Sequence, residues 1–258
     1  MPALVRTSVE AGVVTLTLDS PHNRNALSKQ LMAELTDGLV AAMADPSARV
    51  VVLASSGRVF CSGADLREAR TSDAAGQPAA SMPALLRAVW EAPKPVVARV
   101  AGPARAGGLG LLAACDIVVC AADATFAFTE VRLGVVPAVI SATVLPRLAP
   151  RAAQELFLTG DVFDGTRAAA IGLVTVAVPA GELDEQVSRY VGMLLRGAPG
   201  ALATTKALLR RRPTPDPESL PELAAVSARQ FTGDEGREGM AAFAGKRDPA
   251  WVTGTMPA

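Results

Sequence analysis

Residues 94–116 read Lys-Pro-Val-Val-Ala-Arg-Val-Ala-Gly-Pro-Ala-Arg-Ala-Gly-Gly-Leu-Gly-Leu-Leu-Ala-Ala-Cys-Asp, and no other stretch constrains the fold as tightly. An apolar run over 95–100 predicts a buried strand, which Gly102-Pro103 interrupts. Gly107-Gly108 then turns the chain into the apolar segment 109–114. Strand, glycine turn and helix start, in that order, leave backbone N–H groups unpaired and aligned, a setting that receives negative charge. Glycine suits it because a side chain would bar a ligand from the backbone. The same pattern also serves as a tight packing turn, and the local sequence leaves both readings open. Two other glycine loops are excluded. A phosphate loop needs Lys and Ser or Thr after its last glycine, whereas Leu109 follows Gly108, and the dinucleotide spacing Gly-x-Gly-x-x-Gly is not met.

At 258 residues the chain is long enough for one sizeable α/β domain with a helical appendage. A chain of this size buries about three quarters of its unfolded surface. Lys plus Arg and Asp plus Glu are both 25, so no global charge points to nucleic acid or an anionic membrane. Cys61, Cys115 and Cys120 sit in or beside apolar runs and read as reduced core residues, not a disulfide framework. No basic leader or membrane-length apolar run is visible, so the expectation is a soluble cytoplasmic protein. The single histidine, His22, has no Cys or second His near it, so no metal site is expected.

In chain order, 5–9 and 13–19 flank Ala11-Gly12 and predict a hairpin whose second strand buries Val14, Leu16 and Leu18. Leu27, Leu31, Leu35 and Leu39 recur every four residues, so a helix capped by Ser28 runs to about Asp45. Strands follow at 49–54, 95–100, 117–121 and 174–178, and the piece 59–66 reads as strand, turn and helix start. Residues 71–81 are small, polar and without period, which predicts a mobile loop before a helix over 83–90. Further helices are expected at 141–148, 152–158 and 166–171. From Glu182 the chain reads as helical, interrupted at 198–200 and 212–217. Alternating strands and helices argue for an α/β fold with crossover connections. The run Arg210-Arg211-Arg212 reads as a solvated helix end.

Phe60-Cys61-Ser62-Gly63-Ala64-Asp65-Leu66 resembles the first signature of the crotonase superfamily (enoyl-CoA hydratase/isomerase), and 100–116 resembles its second. Asn25-Ala26-Leu27, Leu158-Thr159-Gly160, Ala170-Ile171-Gly172-Leu173-Val174 and Glu238-Gly239-Met240-Ala241-Ala242-Phe243 are similar to further family motifs, in the family's order and over nearly the whole chain. The resemblance implies an α/β spiral of ββα units over 1–197 and a helical oligomerisation region over 198–258, forming homotrimers or hexamers as dimers of trimers. It implies an acyl-CoA thioester substrate and no separate cofactor, coenzyme A being part of the substrate.

By the same resemblance, the backbone N–H groups of Ala64 and Gly107 form an oxyanion hole for the thioester carbonyl. Arg24, Ala26, Ser62, Asp65 and Leu66 line the coenzyme A path. Phe243 and Lys246 close it, from a neighbouring subunit in one version. Asp65 and Asp116 read as structural carboxylates, Asp65 as a helix cap. Cys61 has no histidine beside it and is not expected to be a nucleophile.

The chain departs from the family at the acid/base. Glu130 stands at the family's second catalytic glutamate, but the first falls on Gly110, which cannot position water or carry a proton. Two enzymatic readings follow: hydration of a 2-enoyl-CoA with Glu130 as sole acid/base, which is favoured, or double-bond isomerisation. A non-catalytic acyl-CoA-binding protein is the third reading. The sequences around Gly110 and Glu130 look like a hydratase subset of the 3-methylglutaconyl-CoA type, whose substrates are branched or carboxylated. Arg105 is either the partner of such a carboxylate or a solvent-facing loop residue. Where many hydratases carry Pro-Gly-x-Gly-Gly, residues 137–141 are Pro-Ala-Val-Ile-Ser, which predicts a reshaped acyl pocket and poor use of simple crotonyl-CoA.

Overall fold

A computed structural model describes residues 2–71, 78–211 and 217–252. The expected hairpin is present: β1 (Val5–Glu10) pairs antiparallel with β2 (Val13–Leu18) across Ala11-Gly12, and Val14, Leu16 and Leu18 are buried. Helix α1 (Lys29–Ala44) begins where Ser28 Oγ accepts the Leu31 N–H at 3.2 Å, and it buries Leu31, Met32, Leu35, Leu39 and Ala42. Its spacing of apolar residues is the stripe of an amphipathic helix.

Strand β3 (Val50–Ser55) joins β2 in parallel register. Helices α2 (Leu66–Thr71) and α3 (Pro78–Glu91) follow, then β4 (Val96–Val100) beside β3. Short β5 (Ala104–Arg105) leads into α4 (Gly107–Ala114), and β6 (Ile117–Ala121) returns beside β4. Next come β7 (Thr125–Ala127), α5 (Ala138–Val144), α6 (Pro150–Thr159), β8 (Phe163–Asp164), α7 (Gly165–Ala170) and β9 (Val176–Val178). Helices α8 (Leu183–Leu195), α9 (Pro199–Leu209), α10 (Leu220–Thr232) and α11 (Asp234–Ala244) complete the chain.

The main sheet runs β1-β2-β3-β4-β6-β9, and β5-β7-β8 form a second, small sheet. Strands β3, β4 and β6 are covered on both faces, which explains their largely apolar sequences, Arg99 of β4 being the exception, paired with Asp184 of α8 at 2.5 Å. In β3, Val51 and Leu53 join the large core with α1, α3 and α4, while Val50 and Val52 face Leu183, Val187 and Val191 of α8. Alternation with period two thus persists, but both sets are apolar.

Several boundaries move. The loop expected over 71–81 is helical from Pro78, and residues 72–77 of that expectation lie outside the described residues. Pro83 sits inside α3, where it forgoes one helical hydrogen bond, so proline marked the start five residues late. The strand expected before Ser62 reduces to a single bridge, Cys61 to Ala104. Helix α5 starts at Ala138 instead of 141 and ends at Val144. Arg212 and the interruption over 212–216 also lie outside the described residues.

Asp116 is the structural carboxylate expected of it, and Arg210 does not lie in solvent. Asp116 Oδ2 accepts the Val96 N–H at 2.8 Å and meets Lys206 Nζ at 2.6 Å, while Oδ1 meets Arg210 Nη2 at 2.5 Å. These bonds tie α9 to the end of α4 beneath the sheet. Burial pulls the Lys206 ammonium down to about 8, against the pull of Asp116 in the other direction. Arg147 and Arg210 each place a guanidinium 5.0 Å from the centre of the Trp90 ring, a cation–π arrangement.

Candidate active site

Two turns meet at one cavity of about 490 Å³, lined by Ala64 and Ala106 on one side and Thr129, Glu130, Leu133 and Val135 on another. The first turn carries Gly63 at φ +90°, and Leu27 N–H donates to the Gly63 carbonyl at 2.8 Å. The second carries Ala106 at φ +48° and ψ −119°, immediately before α4. That region is costly for any residue with a Cβ, of order 1–3 kcal/mol, and such strain concentrates at functional sites.

The Ala106 peptide is held by its N–H on Ala127 O at 3.1 Å and by its carbonyl, which accepts the Leu109 N–H at 2.9 Å. Among the described residues neither the Ala64 N–H nor the Gly107 N–H has a hydrogen-bond partner within the chain. A methyl at Gly107 would lie 3.8 Å from the Ala64 nitrogen, and one at Gly63 would lie 3.5 Å from the Gly107 nitrogen. The two amides therefore flank one small space. A Cβ at Gly63 would also meet the Ala106 methyl at 3.0 Å, and one at Gly107 would meet Met82 Cε at 2.6 Å. Gly108 is needed for packing: its Cβ would stand 3.0 Å from Cys61 O.

Glu130 sits in a 3-10 turn over Thr129–Leu133 that Gly134 ends in the left-handed region. Buried Phe126 and Phe128 anchor the approach to this turn, with Phe128 stacked 4.4 Å from Phe157. Arg132 Nε donates to Thr159 O at 3.0 Å, and a Cβ at Gly160 would lie 3.1 Å from Phe128 O. The Leu158-Thr159-Gly160 turn thus braces the segment that carries Glu130.

The Glu130 side chain is 8% exposed, and its Oε2 is buried without a hydrogen-bond partner. Burial lifts this carboxyl above the ordinary Glu range, with only its own backbone N–H acting against the shift. A carboxyl raised this way, on a residue that lines a cavity, is suited to proton transfer.

The surroundings of Gly110 leave no room for the family's first glutamate. A Cβ on Gly110 would lie 2.4 Å from Ile140 Cγ2 and 2.8 Å from Ile140 Cβ, so Ile140 of α5 occupies the space a side chain there would need. Thr143 Oγ1 donates to Gly110 O at 2.9 Å and fastens the two helices together. The altered 137–141 loop therefore acts by closing the wall with apolar volume.

The structure brings Arg24, Ala26, Ser62, Asp65 and Leu66 to the same cavity. Asp65 Oδ1 accepts the Arg67 N–H at 2.8 Å and its Oδ2 accepts from Asn23 Nδ2 at 3.3 Å, so it caps α2 and joins two cavity loops. Arg24 and Arg67 give that side its cationic groups, with His22 beside them. Phe243 and Lys246 are not brought to the cavity within one chain, and Phe243 is 89% exposed. Arg105 is neither of the two things expected. It donates to Thr125 O at 2.5 Å, Thr125 Oγ1 at 3.0 Å and Ala104 O at 2.9 Å, bracing β5 against β7 and not lining the cavity.

Burial pushes the Cys61 thiol up to about 12, which suits a packing residue and not a nucleophile. Sequence reasoning missed His22, Asn23, Arg67 and Ala106 as cavity residues. The first three lie beside Arg24 and Leu66, so proximity to assigned residues was the available signal. Among the described residues no cluster of His, Cys, Asp and Glu suits a metal ion.

Comparison with known proteins identifies the family. The family model described as enoyl-CoA hydratase/isomerase matches residues 8–254. A solved enoyl-CoA hydratase of Mycobacterium smegmatis superposes with TM-score 0.90 at 34% identity, covering 97% of this chain and 99% of that one. The crotonyl-CoA hydratase of Syntrophomonas wolfei is 31% identical over 255 residues, 95% of this chain and 96% of that protein. A peroxisomal Delta(3,5)-Delta(2,4)-dienoyl-CoA isomerase of Arabidopsis thaliana is also 31% identical, over 96% of each chain. The chain belongs to the enoyl-CoA hydratase/isomerase family and has the crotonase fold.

Proposed function

We propose that the protein adds water across the double bond of a 2-enoyl-CoA thioester. The observation that carries this reading is that Glu130, with its unpartnered buried Oε2, lines one cavity with Ala64 and Ala106, while the unpartnered Gly107 amide lies beside that of Ala64 just behind Ala106. Glu130 takes a proton from water as the water oxygen bonds to the β-carbon. The π electrons move to the thioester oxygen as an enolate, and the two amides hold that charge. The enolate re-forms the carbonyl by taking the proton back from Glu130 at the α-carbon, so one carboxylate closes the cycle with a net addition of water. Donors aimed at developing charge stabilise the transition state more than the ground state, and removing one typically costs about 3–4 kcal/mol. Arg24 and Arg67 face the side suited to the coenzyme A phosphates. The chemistry needs no cofactor beyond the substrate's own coenzyme A.

Isomerisation is the second reading, and the apolar Ile140 wall beside Gly110 favours it, since moving a proton between carbons needs a single carboxylate. Incubation with a panel of branched and straight 2- and 3-enoyl-CoA thioesters separates the two by product. A 3-hydroxyacyl-CoA is expected, with loss of the conjugated-thioester absorbance. A shifted double bond without hydroxylation would replace hydration by isomerisation, and binding without turnover would leave only a CoA-thioester-binding role.

The assembly we propose is a homotrimer or a dimer of trimers formed through the C-terminal helices. In the single chain α10 has no buried residue and α11 buries only Ala242, while Leu220, Phe231, Met240 and Phe243 are exposed. A neighbouring copy that covers these groups would bring Phe243 and Lys246 within reach of a second site. Sedimentation equilibrium is expected to return three or six times the chain mass; a fully active monomer would contradict the assembly.

A further inference from the structure

Asn25 is completely buried, stands at φ +53°, and does not line the cavity. Its carboxamide is fully engaged with main chain. Oδ1 accepts the Ser20 N–H at 2.7 Å, and Nδ2 donates to Ser56 O at 3.0 Å and to Val59 O at 2.8 Å. One side chain therefore binds the 20–25 loop to the segment that enters the first cavity turn. Left-handed backbone is tolerated by Asn better than by most residues, so the conformation and the bonds select the same residue.

Two residues further on lies the consequence for the site. Leu27 N–H donates to Gly63 O at 2.8 Å, and Leu27 O accepts the Asp65 N–H at 3.4 Å. Gly63 O and the Ala64 N–H belong to one planar trans peptide, so they point in opposite directions. Fixing the Gly63 carbonyl on Leu27 therefore aims the Ala64 N–H away from Leu27 and into the cavity. Ser62 N–H, donated to Arg24 O at 3.1 Å, holds the same turn one residue earlier.

We propose that Asn25 is a positioning residue that, by seating Leu27, aims the Ala64 amide at the substrate's thioester oxygen. This rests on the hydratase reading above. A hole assembled from main chain has no side chain of its own to hold it, so its alignment must come from neighbouring peptides and whatever anchors them.

Wild type, Asn25→Asp and Asn25→Ser are compared in kcat, KM and the absorption of a bound aromatic 2-enoyl-CoA thioester. The band of such a chromophore moves to longer wavelength when its carbonyl is polarised. Asp keeps the size and the acceptor but loses both donors. The variants are expected to lose roughly 10- to 100-fold in kcat, with KM changed less than about threefold and most of the red shift gone. Lost kcat with a full red shift, or unchanged kcat, overturns the inference. Should both variants fold poorly, semisynthesis replacing Leu27 by its α-hydroxy analogue removes the N–H that holds Gly63 while keeping every side chain, and an unaltered kcat and red shift there also overturn it. Wild-type protein that shows neither turnover nor red shift with any enoyl-CoA overturns the hydratase reading itself, which the variant comparison does not.

Discussion

Glu130→Gln is expected to abolish nearly all turnover, by about 10²- to 10⁴-fold, the usual contribution of a positioned general acid/base. CoA-thioester affinity should stay within a few-fold of wild type, because the groups facing the coenzyme A side belong to other elements. Glutamine keeps the volume and removes the titratable oxygen, so the comparison isolates proton transfer. The pH profile gives a second readout. As the base, Glu130 works when ionised, and burial raises its pKa, so wild-type kcat/KM should fall with decreasing pH at a point above the ordinary Glu range. The residual rate of the variant should lack that inflection.

Stability should move in the opposite direction. The native state binds the Glu130 proton more tightly than the unfolded chain does. Its contribution is therefore most favourable in acid and is lost as pH rises from the ordinary Glu value through the raised one. At neutral pH the wild type holds a buried, unpartnered carboxylate oxygen, and burying a charge costs more than burying a neutral amide. Glu130→Gln should melt higher than wild type at neutral pH, with the gain disappearing in acid, a trade of stability for activity. Thermal melts across pH read this directly. Equal turnover in the variant would remove Glu130 from the chemistry, and a lower melting temperature at neutral pH would contradict its buried charge.

Much of this arrangement is legible in the sequence because it is local. The Ala11-Gly12 hairpin, the Ser28 cap with Leu31, Leu35 and Leu39 behind it, and the largely apolar strands each follow from neighbours in the chain. So does the place of Gly107 between β5 and α4, whereas Gly63 follows only a single bridge at Cys61. What stayed hidden depends on contacts between distant residues. Arg105 looks free until β7 brings Thr125 beside it. Arg210 reads as a solvated cation until α9 lays it on Asp116 and Trp90. The unusual backbone of Ala106 has no glycine to announce it. Asn25 has a motif but no visible duty until its three backbone partners are seen.

Gly110→Glu alone is expected to yield a poorly folded protein, although the resemblance makes it look like a repair. The new Cβ would stand 2.4 Å from Ile140 Cγ2 and 2.8 Å from Ile140 Cβ, distances that real Cβ atoms do not adopt. Rotating Ile140 relieves the first contact but not the second, because Cβ is fixed to the α5 backbone. Helix α5 would have to move, and Thr143 Oγ1, bonded to Gly110 O at 2.9 Å, opposes that. Overpacking in a dense core costs about 1–3 kcal/mol even for added methylenes, and here an ionisable group is forced against apolar wall as well. Gly110→Ala tests the steric part without charge and should destabilise on its own.

Ile140→Gly leaves only its Cα, 3.4 Å from the new Cβ, which is ordinary contact. It creates a cavity and costs about 1 kcal/mol in helix propensity, yet it should suppress the damage from Gly110→Ala. Coupling between the two sites should therefore be clearly favourable, on the scale of 0.5–3 kcal/mol typical of touching residues. The doubly substituted Gly110→Glu, Ile140→Gly protein should fold, carry a second carboxylate behind the oxyanion amides, and raise the share of hydration over isomerisation. Circular-dichroism melts of the four alanine-and-glycine combinations, together with product ratios for the glutamate double variant, decide the matter. A Gly110→Ala protein that melts with the wild type, or additive losses in the double variant, would mean that Ile140 does not hold the space of the missing carboxylate.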